Sequence, residues 1–386
     1  MIRFLTAGES HGPALVTIVE GLPKDLSFTA EGLSAELARR RLGHGRGPRM
    51  RIERDELEIL GGVRFERTLG SPVAVAIRNT EWERWSAEMA PGAGAAERPM
   101  TTPRPGHADL AGMLKYGTYD ARDILERASA RETAARTVAG YAAKQLLAEV
   151  GISVLSHVVR IGPVAAGKEL VPAAGDMQAI DASPVRVYDD QDAEMAMVAA
   201  IDTAKSDRDT LGGIVEVVAH GVPAGVGSHV HYDRKLDTLL AGALMSIPGI
   251  KAVEVGDGFA SASRFGTEAH DEILVGDGGD GVVRDTNRAG GIEGGISNGS
   301  IIRVRAAQKP LSTLMRPLRS IDVKTKEAAD AFRERSDVCS VPAAGVVAEQ
   351  MVAIVLAAET QRVYGGDTRS AFVEAHQAHL ARLAAY

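Results

Sequence analysis

The stretch VVAEQMVAIVLAA, residues 346–358, constrains the fold most, because its apolar side chains recur on nearly every face of a helix rather than on one stripe. Pro342 suits the first turn of such a helix, and Gly365-Gly366 would stop it, so the spacing predicts a helix over about 343–364. A helix without a polar face must be covered on all sides, either inside the core or against another subunit. Whatever surrounds it has to come from elements on both sides.

Those elements are legible in part. PALVTIVEG (13–21), SPVAVAIRN (71–79), GGIVEVVAHGVP (212–223), KAVEVGDGF (251–259) and SIIRVRAA (300–307) read as strands, most with the alternation of a half-buried sheet. Helical patterns lie between them: 29–41 with Thr29 as cap and Leu33 and Leu37 one turn apart, a long one over 123–150 stopped by Gly151, and an amphipathic one over 232–246. Turn-linked strands and glycine-rich crossings favour antiparallel or mixed sheets over a doubly wound parallel one. No linker divides the chain and no repeat of solenoid length appears, so the expectation is one large domain, 1–386, of mixed α/β (α+β) class.

The single cysteine, Cys339, excludes an internal disulfide framework and a cysteine-based metal site, and no metal is expected. The N-terminal MIRFLTAGESHG lacks the apolar stretch of a signal peptide, and no uninterrupted apolar run reaches the ~18 residues of a membrane span, so a soluble, cytoplasmic protein is expected. A formal net charge of −7 argues against a general nucleic-acid binder. An RNA-binding reading also lacks stacking positions, since aromatics are 4% of the chain and none lies in its arginine cluster.

That cluster, RRRLGHGRGPRMRIER at 39–54, holds seven arginines and a single acid, Glu53. It reads either as a solvated basic loop or as a set of guanidinium forks flexed by glycine, suited to a small ligand bearing phosphate and carboxylate. TAGESHGPAL (6–15) places Ser10-His11 between two glycines, and RPGHADLAGMLKYG (104–117) places Arg104 and His107 around Pro105-Gly106. Histidine is suited to exchanging a proton near neutral pH, although a lone histidine is more often structural. ILERASARETAAR (124–136) sets Arg127 and Arg131 four apart on one expected helix face, as an anion site or as an exposed face bridged to Glu126 and Glu132.

Residues 276–299 carry nine glycines in 24 positions, too many for a packed helix or strand. They match neither a Walker A loop nor the dinucleotide fingerprint, and KPLST (309–313) follows with an ammonium and two hydroxyls. In RSDVCSVPAAG (335–345), Ser336 or Asp337 reads as a helix cap, or Asp337 as a base.

Taken in order, GESHGPA, RRRLGHGRGPRM, RPGHADLAGMLKYG, ERASARETAAR, VEVGDGF, NRAGGIEGGISNG, KPLST and RSDVCSVPAAG resemble the motif series of chorismate synthase, from Met1 to about Gly366. The resemblance implies a β-α-β sandwich with mobile active-site loops at 39–54 and 90–106, assembled as a homotetramer. It also implies the last step of the shikimate pathway: a reduced-FMN-dependent anti-1,4-elimination of phosphate from 5-enolpyruvylshikimate 3-phosphate, giving chorismate.

By the same match, Arg40, Arg46, Arg49, Arg104 and Arg131 would hold the substrate anions, and His11 would protonate the leaving phosphate. His107 would serve the reduced flavin at its N1 side. Asp337 would accept the proton from flavin N5, with Ser10 and Ser129 as relays. Arg127, Ala128, Ser129, Gly294, Lys309, Pro310, Leu311, Ser312, Thr313 and Arg335 would bind FMN. One departure stands at the loop before KAVEVGDGF, where the family pattern has a polar residue followed by alanine and this chain has Pro248-Gly249, which removes a backbone donor. An NADPH-dependent flavin reductase, with Arg40 and Arg46 meeting the nucleotide phosphate, is the alternative enzyme reading. No separate pyridine-nucleotide domain is visible, so an external flavin reductase is the expected source of reduced FMN.

Overall fold

A computed structural model describes residues 2–47, 55–167, 169–276, 281–334 and 336–386. The helix at its centre runs Val341–Tyr364, with Pro342 in its first turn and Gly365 at its end. It is long and apolar enough to cross a membrane, but 89% of its apolar window is buried inside the protein. Its cover comes from one of two sheets and from the helices Thr133–Ala148 and Leu236–Met245.

The first sheet orders its strands Arg3–Ala7, Ala14–Glu20, Val73–Arg78, Glu56–Gly61, every pair antiparallel. Strict alternation turns Leu15, Thr17 and Val19, then Val73, Val75 and Ile77, towards the core, where all six are buried. Against that face lies the helix Thr133–Ala148, whose alanines keep it slim enough for close approach. Thr17 Oγ1 donates to the Ala135 carbonyl at 2.8 Å, which satisfies the one polar side chain on this inner face of the strand.

The second sheet orders Ile250–Val255, Ile302–Gln308, Gly213–His220, Ser153–Ile161 and Val164–Ala165, again antiparallel throughout. The central helix packs on its two middle strands, and at Gly345 an added Cβ would lie 3.2 Å from Ser156 Oγ, so the small residue sets the closeness of helix to sheet. The two central helices pack on each other where Gly140 meets Gln350. Sheet, helix, helix and sheet thus form the mixed sandwich that was expected. On the outer face of the second sheet, Leu155 and Val218 pack with Ile180. Beside them the Glu216 carboxylate meets His157 at 3.1 Å and Arg303 and Arg305 at 2.9 Å each.

Two helical readings need correction. The pattern over 123–150 is not one helix: it divides into Arg122–Ala128, a 3-10 turn Ala130–Glu132 and Thr133–Ala148, because Ser129 is extended at φ −66°, ψ 142°. The pattern over 232–246 likewise starts as a 3-10 turn, Tyr232–Arg234, and becomes α-helix only from Leu236 to Met245. Strands Arg3–Ala7, Glu56–Gly61 and Ser153–Ile161 were not legible, the last because both of its faces are buried and its alternation is lost.

Candidate active site

The break at Ser129 shapes the first cluster. Arg127 and Arg131 do not share a helix face. Arg127 turns to the Thr6 and Gly8 carbonyls at 3.0 Å each, while Arg131 pairs with Asp55 at 2.5 Å. The extended Ser129 accepts from the Arg131 amide at 3.3 Å and donates to Ser10 Oγ at 3.2 Å. Ala128 ends the helix just before it, bringing that helix end to the N-terminal hairpin.

The hairpin loop is fixed by Gly8, whose φ of +101° and a would-be Cβ only 2.2 Å from the Ala14 carbonyl exclude a side chain. Asn79 Nδ2 donates to the Ser10 and Gly12 carbonyls at 3.3 and 3.0 Å, holding the loop from the other side. His11 therefore presents its ring to Glu126: Nδ1 lies 2.9 Å from Oε1, and the His11 backbone N–H donates to Oε2 at 2.8 Å. Trp85 stacks on the imidazole at 3.9 Å between ring centres, and Arg122 bonds Glu126 Oε1 at 2.8 Å while lying 4.9 Å over the Trp85 ring. Burial alone would push the Glu126 carboxyl up, but the bonds from His11 and the charge of Arg122 hold it below its ordinary value.

A second cluster gathers around Arg104. Its Nε donates to Asp109 Oδ2 at 2.8 Å and its Nη1 to Thr313 Oγ1 at 2.7 Å, and its guanidinium stacks 4.5 Å over Phe332. His107 Nδ1 makes a short contact with Asp109 Oδ1. Burial would raise the Asp109 carboxyl, yet hydrogen bonds from His107 and Arg104 outweigh it and hold the group at about 2. Lys309 Nζ donates to the Gly106 carbonyl at 2.6 Å and to Ser312 Oγ at 2.9 Å, so the segment from Lys309 to Thr313 closes over the His107 loop. Burial, then the charge of Lys251, pushes the Lys309 ammonium down.

Leu311 is anchored by Thr210 Oγ1 on its carbonyl at 2.8 Å, and Pro310 runs over Gly212, where an added Cβ would lie 2.8 Å from the proline nitrogen. Pro248-Gly249 joins this group through its backbone: the Gly249 carbonyl accepts from the Lys309 amide at 3.0 Å. The departure from the family pattern therefore sits directly beside KPLST.

A third group lies at the start of the central helix. Asp337 does not cap that helix, whose N-cap is Ser340; it accepts from the Gly47 amide at 2.7 Å and pairs with Arg46 at 2.8 Å. Ser336 does not cap it either. Arg40 is buried and reaches Thr133 Oγ1 at 3.5 Å, so the loop from Arg40 to Gly47 runs between the starts of the two central helices. Glu334 links the first two clusters, lying 3.8 Å from Arg104 and 3.9 Å from Arg122. Gly294 stands apart, in the turn between Ile292–Glu293 and Ile296–Ser297, with the Gly295 carbonyl bonded to Ser228 and Leu236. Arg49 and Arg335 lie outside the described residues.

The family model for chorismate synthase matches residues 2–360. The chain belongs to the chorismate synthase family. A chorismate synthase of Acidothermus cellulolyticus is 58% identical over 376 residues, 95% of each chain, and one of Frankia casuarinae is 59% identical over 379 residues, again 95% of each. A crystal structure of chorismate synthase superposes with a TM-score of 0.80 at 37% identity, covering 100% of this chain and 99% of that one. An enzyme of this type carries out the last step of the shikimate pathway.

Against that background, several polar partners that motif reading missed become important: Glu126, Arg122, Asp109, Trp85, Asn79 and Asp55. Two were signalled locally, since Glu126 immediately precedes Arg127 and Asp109 follows His107 by two positions. Among the described residues, no group of three or more histidine, cysteine and carboxylate side chains could hold a metal ion.

Proposed function

We propose that this protein converts 5-enolpyruvylshikimate 3-phosphate to chorismate by reduced-FMN-dependent anti-1,4-elimination of phosphate. The observation that carries the reading is the set of two carboxylate-held histidines, His11 and His107, beside Arg104, Arg131 and the Lys309–Thr313 segment. The substrate brings one phosphate and two carboxylates, which match paired guanidinium forks. Nε of Arg46 is buried without a hydrogen-bond partner among the described residues, as a donor awaiting an anion would be.

Arg40, Arg46, Arg104 and Arg131 bind the substrate anions, with Arg49 from outside the described residues. His11 gives its proton to the departing phosphate, since a neutralised leaving group departs with less developing charge. Ser10 and Ser129, 3.2 Å apart, form a hydroxyl pair next to it that can relay a proton.

The donors around Gly106 and Gly249 fit FMN: an ammonium at Lys309 and hydroxyls at Ser312 and Thr313 suit a phosphate and ring carbonyls, and Arg127, held on the Thr6 and Gly8 carbonyls, adds a guanidinium. Gly106 at φ +79° and Gly249 at φ +88° leave backbone where a flat ring system can approach closely. Bound reduced FMN would lend electron density to the breaking C–O bond and recover it as the ring proton leaves, so the reaction carries no net redox change. His107 and Asp337 serve its two sides, His107 holding a proton and Asp337 accepting one.

With Arg40 and Arg46 given to the substrate anions, the reading favours supply of reduced FMN by an external reductase over NADPH binding at these two arginines. The reading also makes the protein a cytoplasmic homotetramer. Its test is anaerobic phosphate release from the substrate with chemically reduced FMN and, in parallel, with oxidised FMN. Release and chorismate absorbance with reduced flavin alone are expected; release with neither, from folded protein that binds FMN, would overturn the assignment.

A further inference from the structure

His11 and His107 sit on unrelated loops yet share one arrangement: imidazole Nδ1 against an enclosed carboxylate that also takes a guanidinium. Glu126 and Asp109 have side chains only 2% and 0% exposed. Neither carboxylate can swing away. The Glu126 oxygens are occupied by the His11 amide at 2.8 Å and by Arg122 at 2.8 Å, and Asp109 Oδ2 accepts from the Arg104 amide at 3.1 Å and from its Nε at 2.8 Å.

We propose that Glu126 and Asp109 are positioning residues that hold both histidines with the proton on Nδ1, so that each exchanges protons with its ligand through Nε2. A lone pair on Nδ1 would face a carboxylate oxygen in both places, which is repulsive, whereas an Nδ1–H donates into it. At His107 the Arg104 Nη2 also lies 3.0 Å from Nδ1, but the Asp109 oxygen is closer and anionic, so the ring donates to Asp109 and Arg104 is held by its other bonds.

The charged surroundings are mixed. His11 faces Glu126 and Arg122, with Glu88 3.9 Å from Arg122. His107 faces Asp109 and Arg104, with Lys309 bonded to the Gly106 carbonyl and Glu334 3.8 Å from Arg104. Trp85 fixes the plane of the His11 ring as Glu126 fixes its direction. The role in catalysis rests on the function proposed above; the tautomers do not.

The test is long-range proton–nitrogen NMR of the full chain labelled with nitrogen-15 histidine, titrated without substrate or FMN, with His11→Ala and His107→Ala to assign the signals. Both rings are expected as the Nδ1–H tautomer when neutral. Glu126→Gln should release the His11 ring to a mixed or Nε2–H tautomer and leave that of His107 in place, and Asp109→Asn should do the reverse.

Neutral Nε2–H rings in the unsubstituted protein would overturn the proposal, and that spectrum decides it even if a variant fails to fold. An unchanged tautomer in a folded variant would overturn it too. In turnover, Glu126→Gln should lower kcat roughly 10- to 100-fold with KM nearly constant, as loss of a general acid's tuning does. Phosphate release by the unsubstituted enzyme tests the reaction separately, so the two ideas can fail independently.

Discussion

Arg39 Nη1 donates to Glu349 Oε1 at 2.6 Å, across 310 positions of sequence and inside the protein. Arg39 is the last residue of the first helix and Glu349 lies in the central one, so the bond pins the place where the arginine loop begins. Lys144 and Arg186 also reach Glu349, and Asp181 and Glu36 complete a cluster of three cations and three carboxylates. Burial would drive the Glu349 carboxyl up, but Lys144, Arg39 and Arg186 hold it far below the carboxylate range.

Removing that charge should be costly. Glu349→Gln leaves buried cations uncompensated and is expected to destabilise the fold by about 3–5 kcal/mol. Urea unfolding followed by circular dichroism measures it, and a loss under 1 kcal/mol would mean that the cluster is not the anchor described.

His11→Ala should lower kcat by about 100-fold or more while FMN affinity, read by flavin fluorescence, stays within about threefold. Turnover reduced by less than about threefold, under 1 kcal/mol of barrier, would rule out the general-acid role.

Acid should unfold the protein in a defined window. Asp109 and Glu216 are both held at about 2, against ordinary values of 3.8 and 4.5. In each case burial opposes ionisation and the His, Arg or paired cation partners overcome it. Folded-state values below the unfolded ones mean that this stabilisation is complete above about pH 5 and drains away as pH falls from about 4 to 2. Urea midpoints taken from pH 6 down to 2 should drop across that window, and Asp109→Asn should make the drop shallower.

Gly140→Ala tests the contact between the two central helices. In an exposed helix the change would stabilise by up to about 1 kcal/mol. Here the new Cβ would lie 2.4 Å from Gln350 Cβ and 2.9 Å from its Cα, so overpacking should win and lower stability by about 1–3 kcal/mol. A raised melting temperature would show that the helices can separate at no cost.

What the sequence disclosed follows from how local each signal is. The all-round apolar pattern at 343–364 forced a buried helix, and alternation exposed strands such as Ala14–Glu20, because both depend on neighbours a few positions away. Thr29 capped its helix as read, accepting from the Gly32 amide at 3.0 Å. Ser129 defeated the reading at 123–150, since its extended backbone is stabilised by Ser10 from a distant loop, a partner that no helical period contains. Asp337 likewise looked like a cap until Arg46 and Gly47, nearly three hundred positions earlier, claimed both of its oxygens. Glu126 was read only as a bridge on an exposed arginine face and Asp109 was passed over, because the importance of both depends on the rings they meet in space.

The helix Val341–Tyr364 fills the middle of a sandwich whose first sheet is encoded near the other end of the chain. On the ribosome, the inner face of the second sheet and the side of Thr133–Ala148 turned away from the first sheet are therefore synthesised well before the element that covers them. Until Val341–Tyr364 emerges, that apolar surface stays open to water, to other nascent chains and to chaperones. Emergence of that helix, more than any earlier local folding, is the moment at which this enzyme can close its core, and a chain truncated before Val341 should be captured by chaperones or aggregate rather than accumulate as a smaller folded protein.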